Sequence, residues 1–178
     1  NNLFHEIEIQ GSLFDKSRVV NQLHWGGGTP TFLTFDQMQR LMVALRQAFK
    51  LRDDDQGEYS IEVDPRETDS HTIRRLRELG FNRVSMGVQD FDPTVQKAVN
   101  RIQTEFQTFS VLASARTQGF RSINVDLIYG LPFQTVATFA DTLDKILAVE
   151  PDRLSIFNYA HMPTRFKTQR QINDADLP

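Results

Sequence analysis

Short runs rich in β-branched and aromatic residues alternate along the chain with longer segments in which apolar residues recur every three or four positions. The short runs predict β-strands over 22–25, 58–63, 83–88, 122–130 and 153–159. The longer segments predict helices between them. This alternation is typical of repeated βα units, whose right-handed crossovers give a parallel sheet with helices outside.

The predicted helices carry recognisable end signals. The clearest has an apolar stripe from Met38 to Phe49 and a capping box formed by Thr34 and Gln37. Glycine or proline follows several of the others, as expected where a helix stops. Further helices are expected around 3–9, over 70–79, from Pro93, from Phe106 to Gly119 and over 135–149.

The strand number limits the architecture. Five strands are too few for a closed barrel of eight βα units, and an open doubly wound sheet is the alternative. The first residues look like the end of a helix, and RQINDADLP looks like the start of another element. We therefore expect an α/β fold in which 1–178 is one domain, a partial TIM-like barrel. It would be incomplete at its N-terminus, and residues after about 165 would lead towards a further domain.

Composition excludes several functional classes. The 178 residues include 20 Lys and Arg against 23 Asp and Glu, so nothing indicates an electrostatic nucleic-acid interface. No apolar run reaches the roughly 18 residues of a membrane span, and the first ten residues do not resemble a signal peptide, so a cytoplasmic protein is expected. The absence of cysteine excludes disulfides, a cysteine nucleophile and any thiolate-held metal or cluster built from this chain alone.

Polar residues collect where the predicted strands end. Because the carboxyl ends of parallel strands meet at one rim, these groups should converge on a binding site. In chain order they are Gly26 to Thr29, Glu62 and Asp64, Gln89 and Asp90, Asp126 within its strand, and Asn158 to His161.

Each of these groups also has a purely structural explanation. The three glycines suit a tight turn as well as close approach of the backbone to a ligand. Glu62 and Asp64 could accept hydrogen bonds from the hydroxyl groups or the amine of a ligand. Alternatively, one of them could cap a helix while the other pairs with Arg66. Arg101 could bind a ligand carboxylate through a bidentate contact, or it could be an ordinary solvated arginine on the surface. Asp126 lies in an apolar run, which favours a ligand role.

The histidines show no metal-ligand spacing. His24 lies within a strand and is expected to be packed in the core. A divalent-metal site built from Glu62, Asp64 and Asp126, as in a barrel hydrolase or aldolase, stays open as an alternative.

Six segments between residues 22 and 164 carry a family resemblance. They are QLHWGGGTPTFL, SIEVDPRE, FNRVSMGVQDF, VNRIQ, NVDLIYGLPFQT and PDRLSIFNYAHMPT. Together they resemble the radical S-adenosylmethionine (SAM) family and, within it, the branch of oxygen-independent coproporphyrinogen III oxidases. The resemblance implies a (β/α)6 barrel of which this chain holds strands two to six. GGGTP is shared widely in the family, whereas IEVDPRE, GVQDF and FNYAH indicate the oxidase branch.

The resemblance implies a role for eight residues, all in binding SAM. They are Gly27, Gly28 and Thr29 near the methionine amino group, Glu62 and Gln89 as polar contacts, Arg101 on the carboxylate, Asp126 on the ribose hydroxyls and Ala160 near the adenine. It also implies a second SAM in the site. No catalytic residue and no metal ligand is assigned within this chain.

The implied reaction is anaerobic. A [4Fe–4S] cluster cleaves SAM, and the resulting 5′-deoxyadenosyl radical starts the oxidative decarboxylation of two propionates of coproporphyrinogen III to the vinyl groups of protoporphyrinogen IX. The implied partners are that substrate and an electron donor such as a flavodoxin or ferredoxin, with a monomeric enzyme. A radical SAM haem chaperone, which binds and delivers haem, is the alternative.

The family holds its cluster with a CxxxCxxC segment upstream of the glycine motif, whereas this chain has no cysteine. We therefore expect a fragment that is inactive by itself.

Overall fold

The computed structural model describes residues 2–178. Its helices are α1 Asn2–Ser12, α2 Phe35–Ala48, α3 Ser70–Glu78, α4 Pro93–Ala98, α5 Glu105–Thr117 and α6 Val136–Leu147. Its strands are β1 Val19–Val20, β2 Gln22–Trp25, β3 Lys50–Leu51, β4 Glu58–Val63, β5 Arg83–Gln89, β6 Ser122–Tyr129 and β7 Arg153–Asn158. Short 3-10 turns cover Pro30–Phe32, Lys167–Gln171 and Asp174–Asp176. No helix within residues 2–178 is long and apolar enough to cross a membrane.

The main sheet has the order β2-β4-β5-β6-β7, and every neighbouring pair is parallel. A doubly wound sheet reverses its strand order at a switch point, whereas this order follows the chain throughout, as in a barrel wall. The predicted partial barrel is confirmed. The second, two-stranded ladder of β1 and β3 was not predicted, because two residues per strand leave no readable period.

The two faces of the sheet have different environments. On β5 the side chains of Val84, Met86 and Val88 are buried, and they belong to one core cluster with Ile73 of α3. The intervening residues of β5 point to the opposite, concave face and are only partly buried. Because strand side chains alternate between faces, the helices cover the apolar face and leave the polar set inside the barrel wall.

The helix ends follow the sequence signals. Thr34 accepts a hydrogen bond from the backbone N–H of Gln37, whose side chain accepts one from Thr34, so the predicted capping box is confirmed. Asp92 caps α4 in front of Pro93. A cap of this kind stabilises a helix by about 1 kcal/mol.

The last residues fold back over the carboxyl ends of β6 and β7. The Phe133 N–H donates to the Asp176 carbonyl at 2.8 Å. The Gln169 side chain donates to the Ala160 carbonyl at 3.1 Å and accepts from the Met162 N–H at 2.5 Å. These contacts fix the segment that follows β7 against the rim. The expectation of a further domain beyond it stays a prediction.

Candidate functional site

A cleft of about 200 Å³ opens on the concave face, at the carboxyl ends of the strands. Six of the eight predicted site residues line it: Gly28, Thr29, Glu62, Gln89, Arg101 and Asp126. The other lining residues are Pro30, Val63, Asp64, Ser85 and Gly87. The sequence-based expectation that the strand ends converge therefore holds for β2, β4, β5 and β6.

The glycine run after β2 brings the backbone up to a carboxylate. Gly27 and Gly28 have φ values of +83° and +63°, a region that favours glycine. The Gly27 N–H donates to Glu62 Oε2 at 3.1 Å. A Cβ on Gly26 would lie 2.7 Å from Glu62 Oε1, so only glycine lets the carboxylate approach this closely. The glycine run therefore makes a tight turn and also brings its backbone close to Glu62.

His24 is held beside Glu62 instead of in the core. Its Nε2 lies 3.3 Å from Glu62 Oε1, and its Nδ1 lies 2.7 Å from Ser60 Oγ. Its side chain is 55% exposed, so the expectation of a packed histidine was wrong. The physical reason is strand alternation, because Leu23 and Trp25 pack against the core and leave His24 on the concave face.

Asp64 joins two arginines at one side of the cleft. Arg66 contacts both carboxylate oxygens, with Nε–Oδ1 at 3.0 Å and Nη2–Oδ2 at 2.7 Å. This is the pairing with Arg66 that the sequence analysis gave as the structural alternative. Arg101 Nη1 approaches Oδ2 at 3.3 Å. Burial alone would raise the pKa of the Asp64 carboxyl, but the hydrogen bonds from Arg66 and the charge of Arg101 outweigh it and hold that pKa below its usual value.

Arg101 is a largely buried cation in this cleft and not a solvated surface residue. Its side chain is 20% exposed, and Nη2 donates to the Gly87 carbonyl at 2.7 Å. Burial lowers its pKa, which the charge of Asp64 partly opposes. Within residues 2–178 its Nε is buried and has no hydrogen-bond partner. A buried guanidinium donor without a partner fits an anionic ligand group.

Gln89 ends β5 in a left-handed conformation, with φ of +70°, at a shift in the register with β6. Among the described residues its Oε1 is buried without a partner. A Cβ on Gly87 would lie 2.8 Å from Gln89 Nε2 and 3.3 Å from Arg101 Nη2. Gly87 therefore makes room for both side chains. Sequence reasoning missed Gly87, although a glycine inside a strand often marks a close approach of this kind.

Asp126 is held by neutral donors. Asn124 Nδ2 donates to its Oδ1 at 2.6 Å, and Ser85 Oγ donates to its Oδ2 at 3.0 Å. These bonds orient a carboxylate that lines the cleft and leave further lone pairs on its oxygens as acceptors. Ser85 was also missed, because a serine within a strand gives no signal of its own.

Ala160 lies outside the polar cleft, contrary to the grouping expected from the sequence. Its carbonyl accepts the bond from Gln169. A second cavity of about 220 Å³ adjoins the cleft, shares Gln89 and Arg101 with it, and is otherwise lined mostly by apolar groups from Val99, Ile128, Leu131, Tyr159, Thr168, Gln169 and Ile172.

The described residues do not form a metal site. Within residues 2–178 there is no group of three or more His, Cys, Asp or Glu side chains that could hold a metal ion. Glu62, Asp64 and Asp126 each contact different protein donors instead. The alternative of a divalent-metal hydrolase or aldolase is not supported. The sequence also lacks the thiolates that a [4Fe–4S] cluster would need, so this chain does not fit that group.

The cleft does fit the amino-acid and ribose parts of SAM. Arg101 offers a cation for a carboxylate, Glu62 and Asp126 offer acceptors for an amine or a diol, and Gln89 offers an unpaired amide oxygen.

Comparison with known proteins agrees with this geometry. The model of the Radical SAM superfamily matches residues 6–146. "Oxygen-independent coproporphyrinogen III oxidase" of Pseudomonas aeruginosa is 59% identical over 176 residues, which are 99% of this chain and 38% of that protein. The protein of the same name from Escherichia coli K12 is 55% identical over the same share of each chain. This chain therefore spans about two fifths of the length of these relatives.

Solved structures show the same fold. The E. coli coproporphyrinogen III oxidase structure, described as a radical SAM enzyme, matches with a TM-score of 0.93 and 55% identity over 99% of this chain and 40% of that one. The radical SAM methyltransferase TsrM from Kitasatospora setae matches at 15% identity with a TM-score of 0.67, over 89% of this chain and 30% of that one, and supports the fold alone. With a family match over residues 6–146 and a polar cleft at the carboxyl ends of its barrel strands, the chain belongs to the radical SAM superfamily.

Proposed function

We propose that this chain forms the SAM-binding part of an oxygen-independent coproporphyrinogen III oxidase. The observation that carries the proposal is the 59% identity to the P. aeruginosa protein of that name, because the match covers 99% of the chain and therefore the entire cleft. The relatives reported above bear the oxidase name and none is a haem chaperone, so the chaperone alternative is not supported.

The cleft residues each bind a different group of SAM. Arg101 binds the carboxylate, the backbone of Gly27 to Thr29 meets the amino group, and Asp126 accepts from the ribose hydroxyls. Glu62 and Gln89 add polar contacts from the neighbouring strand ends. SAM, when bound, supplies the one-electron chemistry of the family, and the protein positions it and limits access of water.

The adjoining apolar cavity suits the adenine. It begins at Gln89 and Arg101, where the polar cleft ends, and Tyr159 and Ile128 offer apolar surfaces to a flat ring. Ala160 directly follows Tyr159, and this adjacency supports the proposal of a backbone contact from Ala160 to that ring. A second SAM in the site is part of the proposal, and the binding stoichiometry tests it.

The proposed substrate is coproporphyrinogen III. Each of two propionates loses one hydrogen atom to a SAM-derived radical, one further electron to an electron acceptor and one molecule of CO2, and thereby becomes a vinyl group. The proposal includes a flavodoxin or ferredoxin as electron donor, a monomeric enzyme and a cytoplasmic location. The names of the relatives support the substrate, and the remaining points rest on the family resemblance alone.

A full-length chimera tests this function. Replacing the aligned 176 residues of the P. aeruginosa relative with this chain leaves the rest of that protein to supply the cluster ligands, which this chain lacks. Anaerobic assays should show SAM consumption and protoporphyrinogen IX formation at rates similar to the parent relative. An Arg101→Gln chimera should lose SAM binding. A folded chimera that binds SAM but makes no protoporphyrinogen IX would refute the oxidase assignment.

A further inference from the structure

We propose that Arg66, which does not line the cleft, keeps Arg101 available to the carboxylate of the ligand by holding the Asp64 carboxylate. The inference rests on the proposed function, since it takes the carboxylate to be that of SAM. Arg66 is then a positioning residue that acts through Asp64.

The two arginines do not share Asp64 equally. Arg66 makes a bidentate contact at 3.0 and 2.7 Å, and its own backbone N–H donates to Oδ1 at 3.0 Å. Arg101 has one contact, at 3.3 Å, beyond the usual range for an N–H···O bond. Bidentate charge-assisted pairs are the stronger kind, so Asp64 belongs mainly to Arg66.

Arg101 keeps binding capacity as a result. It is anchored through Nη2 on the Gly87 carbonyl at 2.7 Å, and its buried Nε has no partner within the described residues. An Asp64 carboxylate paired bidentately with Arg101 would occupy donors that a ligand carboxylate needs. The bond to the Gly87 carbonyl instead fixes the orientation of Arg101 and leaves its positive charge available to a ligand.

Charge counting gives the same result. Arg66, Asp64 and Arg101 together carry a net charge of +1, which one incoming carboxylate neutralises. Without Arg66 the remaining pair is neutral, and Asp64 is free to turn fully towards Arg101. Without both Arg66 and Asp64 the net charge returns to +1. Glu62 and Asp126, the other carboxylates of the cleft, are the same in every case.

The test measures the dissociation constant of SAM by calorimetry on the full-length chimera. Arg66→Gln should weaken SAM binding on the order of tenfold, although Arg66 does not line the cleft. The Asp64→Asn, Arg66→Gln double variant should restore binding to within about threefold of the unsubstituted chimera. Arg66→Lys keeps the charge but not the bidentate contact, so its dissociation constant for SAM should lie between those of Arg66→Gln and the unsubstituted chimera.

A ligand without a carboxylate provides the control. 5′-Methylthioadenosine carries the adenosine and the sulfur of SAM but no amino-acid group, so all variants should bind it equally. Unchanged SAM binding in Arg66→Gln, or a double variant no better than Arg66→Gln, overturns the inference. So does equal loss of both ligands in Arg66→Gln and the double variant, because that indicates general structural damage. Failure of the unsubstituted chimera to bind SAM would instead overturn the proposed function.

Discussion

Asp90 is a buried carboxylate that ties the end of β5 to the loop after β6, and its substitution gives the sharpest test of the fold. The residue is 1% exposed. Its Oδ1 accepts from the Asp92 N–H at 2.6 Å and from Thr142 Oγ1 at 3.0 Å, and its Oδ2 accepts from Gln134 Nε2. Gln134 Oε1 in turn accepts from the Gly130 N–H at 2.6 Å. Asp90 thus fixes the rim next to Gln89.

Asp90→Asn preserves the shape of the side chain but replaces one acceptor oxygen with an NH2 group. If the remaining oxygen keeps Asp92 and Thr142, the new donor faces Gln134 Nε2, and Gln134 cannot flip without losing its bond to Gly130. The new amide N–H and the Gln134 Nε2–H that donated to Asp90 Oδ2 then face each other without an acceptor, which costs about 2 kcal/mol at the least. At about 2–4 °C per kcal/mol for a chain of this size, the melting temperature should fall by about 4–8 °C.

Thermal and urea unfolding followed by circular dichroism measure this loss. Asp141→Asn is the matched control, because Asp141 is an exposed residue of α6 and the same chemical change there should alter the unfolding free energy by less than about 0.5 kcal/mol. If Asp90→Asn has the same melting temperature and unfolding free energy as Asp141→Asn, the buried network does not stabilise the rim and the reasoning is refuted.

Three further predictions concern the cleft. Gly27→Ala should lower the unfolding free energy by about 1–2 kcal/mol, because φ of +83° is costly for alanine although nothing lies near the added Cβ; Gly27→Asn should cost less, and equal losses in thermal unfolding would contradict the conformational explanation. Gly87→Ala should weaken SAM binding on the order of tenfold, because the new Cβ would displace Gln89 and Arg101; calorimetry that shows unchanged affinity would argue against this packing. Since the pKa of Asp64 is held below its ordinary value of about 3.9, the stability it contributes is complete above that pH and is lost as the pH falls through the lower folded-state pKa. The difference in unfolding free energy between the native chain and Asp64→Asn should therefore stay constant from about pH 7 to pH 5 and shrink below about pH 4, and a difference that shrinks already at pH 5 would contradict the lowered pKa.

The sequence by itself determined the elements and the face on which each residue lies. Period-two runs and period-3.6 stripes are local properties, so all five main strands and the six helices could be predicted, together with the capping box at Thr34. Parallel strands with helical crossovers must bring their carboxyl ends to one rim. That rule alone placed Gly28, Glu62, Gln89 and Asp126 around a common cleft.

Only the tertiary structure decided which groups pair within that cleft. Asp64 and Arg101 are 37 residues apart, and no spacing in the sequence shows that Arg66 contacts the same carboxylate more closely. The contact of His24 Nε2 with Glu62, 38 residues away in the chain, and the position of Ala160 outside the polar cleft also came from packing across strands. The physical reason is that periodicity fixes direction and face, whereas competition for a hydrogen bond depends on distances of a few tenths of an ångström between distant parts of the chain.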